Sequence, residues 1–269
     1  MKGETARFVA VVSGKGGVGK THLVANLAIA AARLGARPLV VDGDLGLANV
    51  DVLLGLSPTR SVADALAGAC PLADTIVDGP SGIRLLPAAS ARQDLASPDG
   101  VVLARFLAEL RAAAEPHDLV LVDAGAGIGR VVTGLAAACG RALVVTTPEP
   151  TSVADAYAAI KVLRAASPSA GCELVVNDAA DAEQARRTAS RLELLARRFL
   201  GATLQSRGWL PSDPRLREAT SLQRAVVEAF PSARWSRALV ALAEGLLRDV
   251  RETRRPAPLR AAEPAGATP

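Results

Sequence analysis

Aromatic residues are scarce. They make up 3% of the chain: one tyrosine, two tryptophans and four phenylalanines. There is no platform of stacking rings for single-stranded nucleic acid. There is also no helix-turn-helix pattern, so sequence-specific DNA binding is not expected. With so few rings the core must be built from Ala, Val and Leu, which suits close packing of helices on a sheet. Cysteine is equally sparse. Cys70, Cys139 and Cys172 are odd in number and form no C-x-x-C pair. They read as buried, reduced thiols of a cytosolic protein. They also lack the paired spacing that a dimer-bridging metal cluster would need. Long apolar runs are missing too. The longest predominantly apolar stretch, Leu23 to Ala32, ends at Arg33, well short of the roughly 18 residues of a membrane span. The N-terminus carries no signal-peptide pattern, so a soluble, cytoplasmic chain is expected.

Lysine is the most telling scarcity. Lys2, Lys15, Lys20 and Lys161 are the only lysines, and arginine supplies the other basic residues. Net charge is a modest, dispersed +4, which permits an acidic partner or an anionic membrane without demanding either. Two of the few lysines fall in one short loop, Gly14-Lys15-Gly16-Gly17-Val18-Gly19-Lys20-Thr21. Arginine substitutes poorly for lysine at a compact phosphate contact, so this retained pair points to lysine chemistry.

The loop fits G-x-x-x-x-G-K-[ST] without gaps. Phe8 to Val12 before it is a short apolar run suited to a buried strand, and Thr21 to Leu34 after it has apolar residues at helical spacing. Triphosphate oxygens would then lie at a helix N-terminus among inward-facing amides. Lys20 would reach the β- and γ-phosphates, and the Thr21 hydroxyl would ligate Mg²⁺. A triphosphate also needs carboxylates for the metal and for water. Asp42-Gly43-Asp44 follows one apolar run, and Asp123 ends another, Leu119 to Asp123. Asp123 is the expected metal-side acid. Asp44, heading a loop, is the expected water-orienting group and a second metal-side carboxylate. The small residues 124–129 fit either a nucleotide-sensing loop or a plain tight turn.

Apolar runs at 8–12, 37–41, 83–86, 119–123, 142–146, 173–176 and 204–210 alternate with helical patterns. The helical patterns span 20–34, 60–69, 99–114, 130–138, 152–166, 181–200, 213–229 and 232–249. This predicts an α/β fold: a doubly wound, mostly parallel sheet with helices on both faces. Strand C-termini should carry the site. Residues 1–250 read as one domain, and the Pro/Ala-rich 251–269 as a disordered tail. Trp235, Leu239, Leu242, Leu246 and Val250 share a face. That face fits a packed final helix better than an interfacial membrane helix. The arginines of 181–200 read as a solvated face.

Taken together, these residues resemble the MinD/ParA group of P-loop ATPases, whose loop carries the extra lysine. Within that group, Asp42-Gly-Asp-Leu-Gly-Leu-Ala-Asn-Val-Asp-Val-Leu-Leu-Gly-Leu56 and Asp123-Ala-Gly-Ala-Gly-Ile128 are similar to the FlhG (FleN) branch of flagellar number regulators. The resemblance implies an ATP-bound homodimer in which Lys15 touches phosphates in the opposite subunit. It implies that Lys15, Lys20 and Asp44 serve catalysis. It makes Asn177, Pro211 and Asp213 base contacts, where the residues alone read as turn and loop positions. It also assigns Asn49 and Asp51 to a switch surface. His22 stands where a second hydroxyl is usual; it either donates to the nucleotide or faces outward.

Expected partners are a second copy of the chain, an FlhF-like GTPase, and a flagellar switch or transcriptional regulator protein, with peripheral membrane contact at the inner face of the cell membrane. The Asp-Gln-Ala activator helix common in the branch is not seen before Phe8, so stimulation of FlhF by that route is not expected. The alternatives share the chemistry or omit it: a division-site or cargo-positioning ATPase, or a nucleotide-bound scaffold without useful hydrolysis.

Overall fold

The computed structural model describes residues 7–44, 49–88 and 100–254. Eight strands form one sheet in the order β3-β4-β2-β5-β1-β6-β7-β8. The strands are β1 Phe8–Ser13, β2 Pro38–Asp42, β3 Val77–Asp78, β4 Arg84–Leu86, β5 Leu119–Ala126, β6 Arg141–Thr146, β7 Gly171–Ala179 and β8 Gln205–Pro211. All pair in parallel except β3, which runs antiparallel to β4. The seven apolar runs therefore all become strands. Their continuous Val, Leu and Ala character follows from burial on both faces.

The helices are α1 Lys20–Arg33, α2 Val50–Leu53, α3 Val62–Leu66, α4 Gly100–Ala113, α5 Arg130–Cys139, α6 Pro150–Ala166, α7 Ala182–Leu200, α8 Arg215–Ser221, α9 Val226–Ala229 and α10 Arg234–Arg254. Two buried clusters lie on opposite faces of the sheet. One joins α3 to α7 with the side chains of one strand face. The other joins α1, α2, α9 and α10 with the opposite face. Strand β1 sits between β5 and β6, so the chain moves to one side of β1 first and to the other side later. That switch point opens a crevice at the C-terminal ends of the central strands.

Several boundaries differ from the sequence reading. The helix expected over 213–229 is two helices. Gln223 takes a left-handed φ of 50° and Ala225 is extended, which breaks the α-helical path. The Gln223 amide donates to the Val52 carbonyl at 3.0 Å, fixing the break against α2. Strand β5 continues past Asp123 to Ala126, because Ala126 still pairs with Ser13. Likewise β7 continues past Asn177 to Ala179, where it pairs with Pro211. The last helix runs on to Arg254. Its stripe of Trp235, Leu239, Leu242, Leu246 and Val250 is buried in the core, so that face is packed rather than presented to a membrane. No helix among the described residues is long and apolar enough to cross a membrane. Positions 45–48 of the expected switch and 255–269 of the expected tail lie outside the described residues.

Candidate functional site

The phosphate-loop residues turn directly from β1 into α1. The first turn of α1 has no acidic residue and no side-chain cap. Its free amides are thus left for an anion. Two glycines are required by their surroundings. At Gly19, φ is 90° and an added Cβ would lie 2.4 Å from the Asn177 amide nitrogen. At Gly14 it would lie 2.0 Å from the carbonyl oxygen of Asp155. The Ser13 hydroxyl donates to the Lys15 carbonyl at 2.6 Å, closing the start of the loop.

Above the loop is a cleft of about 440 Å³. Gly17, Gly19, Lys20 and Thr21 form its floor, and His22, Asn49, Val52 and Thr220 line its walls. A separate apolar cavity of about 370 Å³, between Phe8, Leu107, Leu135 and Cys139, touches none of these residues.

The carboxylates expected near the phosphates are present. The Thr21 hydroxyl donates to Asp123 Oδ2 at 2.7 Å. Asp123 Oδ1 is buried with no hydrogen-bond partner among the described residues. Burial raises the Asp123 pKa, opposed by the Thr21 bond and the Lys20 charge. Burial also lowers the Lys20 pKa, and Asp123 and Asp44 oppose that shift. Lys20 is 7% exposed. Asp44 lies across from Gly125, whose hypothetical Cβ would be 3.7 Å from the Asp44 carboxyl. The three groups therefore share one electrostatic neighbourhood at the crevice.

This arrangement fits a divalent cation bound to phosphate. A hydroxyl and a carboxylate already face each other, and one carboxylate oxygen is buried and idle. An orphaned buried acceptor is costly unless a ligand or water engages it.

Lys15 points elsewhere. Its ammonium contacts Glu149 Oε2 at 2.7 Å and Thr151 Oγ1 at 3.3 Å, across separations of 134 and 136 residues. Sequence reasoning missed both partners. Both lie within a few residues of the C-terminal end of β6, where the rule that strand ends carry the site points. His22 faces α8, with Nε2 3.3 Å from Thr220 Oγ1, and burial lowers its pKa. Asn177 is buried beneath the loop and donates to the Val18 carbonyl at 2.8 Å. Asp213 accepts from the backbone of Arg215 at 3.0 Å and of Trp235 at 3.2 Å. Pro211 ends β8 beside them and is buried. Cys139 and Cys172 are buried. Burial pushes the Cys139 thiol up to about 12 and raises that of Cys172, which is the reverse of a ligating thiolate.

The family described as ParA, "NUBPL iron-transfer P-loop NTPase", matches residues 4–246. The chain belongs to the ParA/MinD family of P-loop NTPases. This family member is 42% identical over 238 residues to the antiactivator FleN of Pseudomonas aeruginosa, covering 88% of this chain and 85% of that protein. It is 37% identical over 161 residues to the flagellum site-determining protein YlxH of Helicobacter pylori, covering 60% and 54%. Among solved structures, the septum site-determining protein MinD of Pyrococcus horikoshii, complexed with Mg-ADP, superposes with a TM-score of 0.76. That likeness has 27% identity and covers 89% of this chain and 95% of that one. ATP hydrolysis with Mg²⁺ is the chemistry of this family.

One carboxylate of this ParA/MinD-family site, noted in the sequence beside Asp44 but given no role there, proves structural. Asp42, at the end of β2, accepts three backbone N–H bonds. Oδ1 takes Asp44 at 3.2 Å, and Oδ2 takes Asn49 at 2.9 Å and Val50 at 3.1 Å. It therefore anchors both ends of the segment that carries Asp44 and Asn49. Burial still pushes its pKa up to about 7, against those hydrogen bonds. A carboxyl raised above its unfolded value stabilises the fold fully at acid pH. That contribution declines from about pH 4 and is lost as pH rises through about 7. The nucleotide-free chain should accordingly lose melting temperature between about pH 4 and 7. Asp42→Asn should lower stability throughout, because the amide nitrogen leaves at least one of the three donors without its acceptor, yet flatten that slope. A variant with the parent's slope in thermal melts would remove Asp42 as its source.

Proposed function

We propose that the chain is an ATP-dependent dimerisation switch that hydrolyses ATP with Mg²⁺ and regulates flagellar number or placement. The observation that carries this reading is the contrast between the two lysines of one loop. Lys20 is buried beside Asp44 and Asp123, ready for phosphates in its own cleft. Lys15 is turned out of that cleft and held by Glu149. The Lys15–Glu149 pair is half open to solvent, with side-chain exposures of 34% and 66%. Exposed ion pairs contribute about 0–1 kcal/mol, so the lysine is released at little cost. A second copy of the cleft offers it a stronger anion.

The proposed roles follow from position. Gly14, Gly16, Gly17, Val18 and Gly19 present backbone amides to the phosphates. Lys20 neutralises the γ-phosphate, and Lys15 does so from the opposite subunit. The Thr21 hydroxyl and Asp123 hold Mg²⁺, with Asp44 on the same side. When bound, the metal neutralises charge on the phosphate oxygens. Asp44 orients the attacking water. Asn177, Pro211 and Asp213 are the proposed base contacts; none of the three lines the cleft over the phosphate loop, whereas His22 does. Catalysis is then positioning and charge stabilisation, and turnover is slow until a partner completes the site. Val52, Ile128 and Leu222 are 56%, 49% and 54% exposed. They lie on the cleft wall, after β5 and beside the α8–α9 break, which supports a docking face around the cleft.

The flagellar assignment rests on the relatives FleN and YlxH. Its proposed partners are an FlhF-like GTPase and a flagellar switch or transcriptional regulator protein, met in the cytoplasm or at the inner membrane face. Cells lacking the chain should assemble an altered number of flagella, or misplace them, with septa placed normally. Normal flagella with misplaced septa would overturn this reading in favour of a MinD-like one. The MinD-like fold keeps that second reading in view. Sedimentation of the ATP-loaded chain on lipid vesicles and on non-specific DNA separates membrane-positioning from cargo-positioning forms.

A further inference from the structure

Trp235 opens α10 and is 1% exposed, the largest fully buried side chain of the molecule. Its indole N–H donates to Asn177 Oδ1 at 3.2 Å. The other end of the same amide donates from Nδ2 to the Val18 carbonyl at 2.8 Å. Asn177 is 4% exposed and Val18 2%. One buried amide thus bridges the phosphate loop and the final helix. The Trp235 backbone N–H is also held, by Asp213 Oδ2 at 3.2 Å.

The chemistry of the three groups fixes their orientation. An indole N–H only donates and a backbone carbonyl only accepts. A flipped Asn177 amide would set oxygen against oxygen at Val18 and donor against donor at Trp235. Trp235 and the Val18 carbonyl therefore hold the amide in one orientation, each reinforcing the other. The Val18–Gly19 peptide is planar and trans, so its C=O and N–H point in opposite directions. Holding the Val18 carbonyl aims the Gly19 N–H, which belongs to the loop floor. Gly19 leaves the room for this: a Cβ there would occupy the amide's place.

We propose that Trp235 is a positioning residue for the phosphate loop and couples nucleotide occupancy to α10. The proposal rests on the nucleotide reading of the cleft and adds a route out of it. Filling the cleft loads the Val18–Gly19 peptide, Asn177 carries the change, and the first turn of α10 responds. Coupling is reciprocal, so whatever binds α10 also alters nucleotide affinity.

The chain has two tryptophans, Trp209 and Trp235, so Trp209→Phe leaves Trp235 as the sole tryptophan, and excitation at the red edge of its absorption reads it without Tyr157. Titrating that variant with Mg-ATP should give a saturable change in emission. Adding Asn177→Asp keeps an acceptor for the indole but removes the donor to Val18, and should abolish the change while binding is followed by a labelled nucleotide. Trp235→Phe keeps most of the bulk and loses the N–H. It should weaken ATP binding about 3- to 10-fold, the range of one lost hydrogen bond. That loss should not add to the loss from Asn177→Ala. If the parent chain binds no ATP, the functional reading falls and this proposal with it. If the parent binds ATP but Trp235→Phe binds equally well, or the two losses add, the relay alone is overturned. Should Trp235→Phe fail to fold, the single-tryptophan titration decides: unchanged Trp235 emission at saturating ATP refutes the coupling.

Discussion

Asp44→Ala should lower ATP turnover about 10²- to 10⁴-fold, the usual contribution of a positioned acid–base group. ATP binding should change by no more than a factor of a few. Asp44 begins the segment anchored by Asp42, and its backbone N–H is held at 3.2 Å by that carboxylate. It shares its surroundings with Lys20 and Asp123. A water held there would stand on the γ-phosphate side of Lys20. Single-turnover hydrolysis and equilibrium binding, measured on the same preparation, separate the two effects. Loss of binding in parallel with turnover would make Asp44 a ligand-holding group instead. Undiminished turnover would remove it from the reaction. The variant also tests the scaffold alternative: a non-hydrolysing scaffold predicts normal cell behaviour for Asp44→Ala and loss for Lys20→Ala.

Lys20→Ala should abolish useful nucleotide binding. Removing one partner of a buried charge pair costs about 2–5 kcal/mol, or roughly 30- to 5,000-fold in dissociation constant. In the nucleotide-free chain the Lys20 ammonium is already buried beside two carboxylates. Its loss leaves Asp123 with less opposing charge, which raises that carboxyl further and weakens the metal side as well. Lys20→Arg should rescue little, because a planar guanidinium does not fit a compact point contact among glycines. Calorimetric titration with Mg-ATP gives the comparison. Near-parent affinity in Lys20→Ala would mean that the backbone amides alone hold the phosphates.

The sheet was legible because its strands are buried on both faces and read as unbroken apolar runs. The strand–loop–helix unit at 8–34 was legible because the period changes abruptly across a glycine-rich loop. Short pieces were not. Strand β3 has two residues and α2 a single turn, too few to show a period. The break between α8 and α9 escaped notice because apolar spacing continues through it. It depends on Gln223 reaching α2, a contact between distant parts of the chain.

The site divides in the same way. Lys20, Thr21, Asp44 and Asp123 belong to local patterns, and the fold brings them together. The Glu149 hold on Lys15 and the Trp235–Asn177 bridge are products of packing, each joining segments that no sequence pattern links, and the triple anchoring at Asp42 is a local arrangement within the Asp42–Leu56 stretch that residue types alone do not show. Asn177 and His22 show the limit most clearly. Both lie at the loop, but the structure gives each a protein partner, Trp235 and Thr220.

The central claim is that Lys15 acts between subunits. Molecular mass by light scattering, with Mg-ATP and with Mg-ADP, tests it most directly when the parent chain and Lys15→Ala are compared. The parent should double in mass with ATP and not with ADP. Lys15→Ala should bind ATP with near-parent affinity and remain a monomer. A Lys15→Ala chain that still dimerises with ATP would contradict the account.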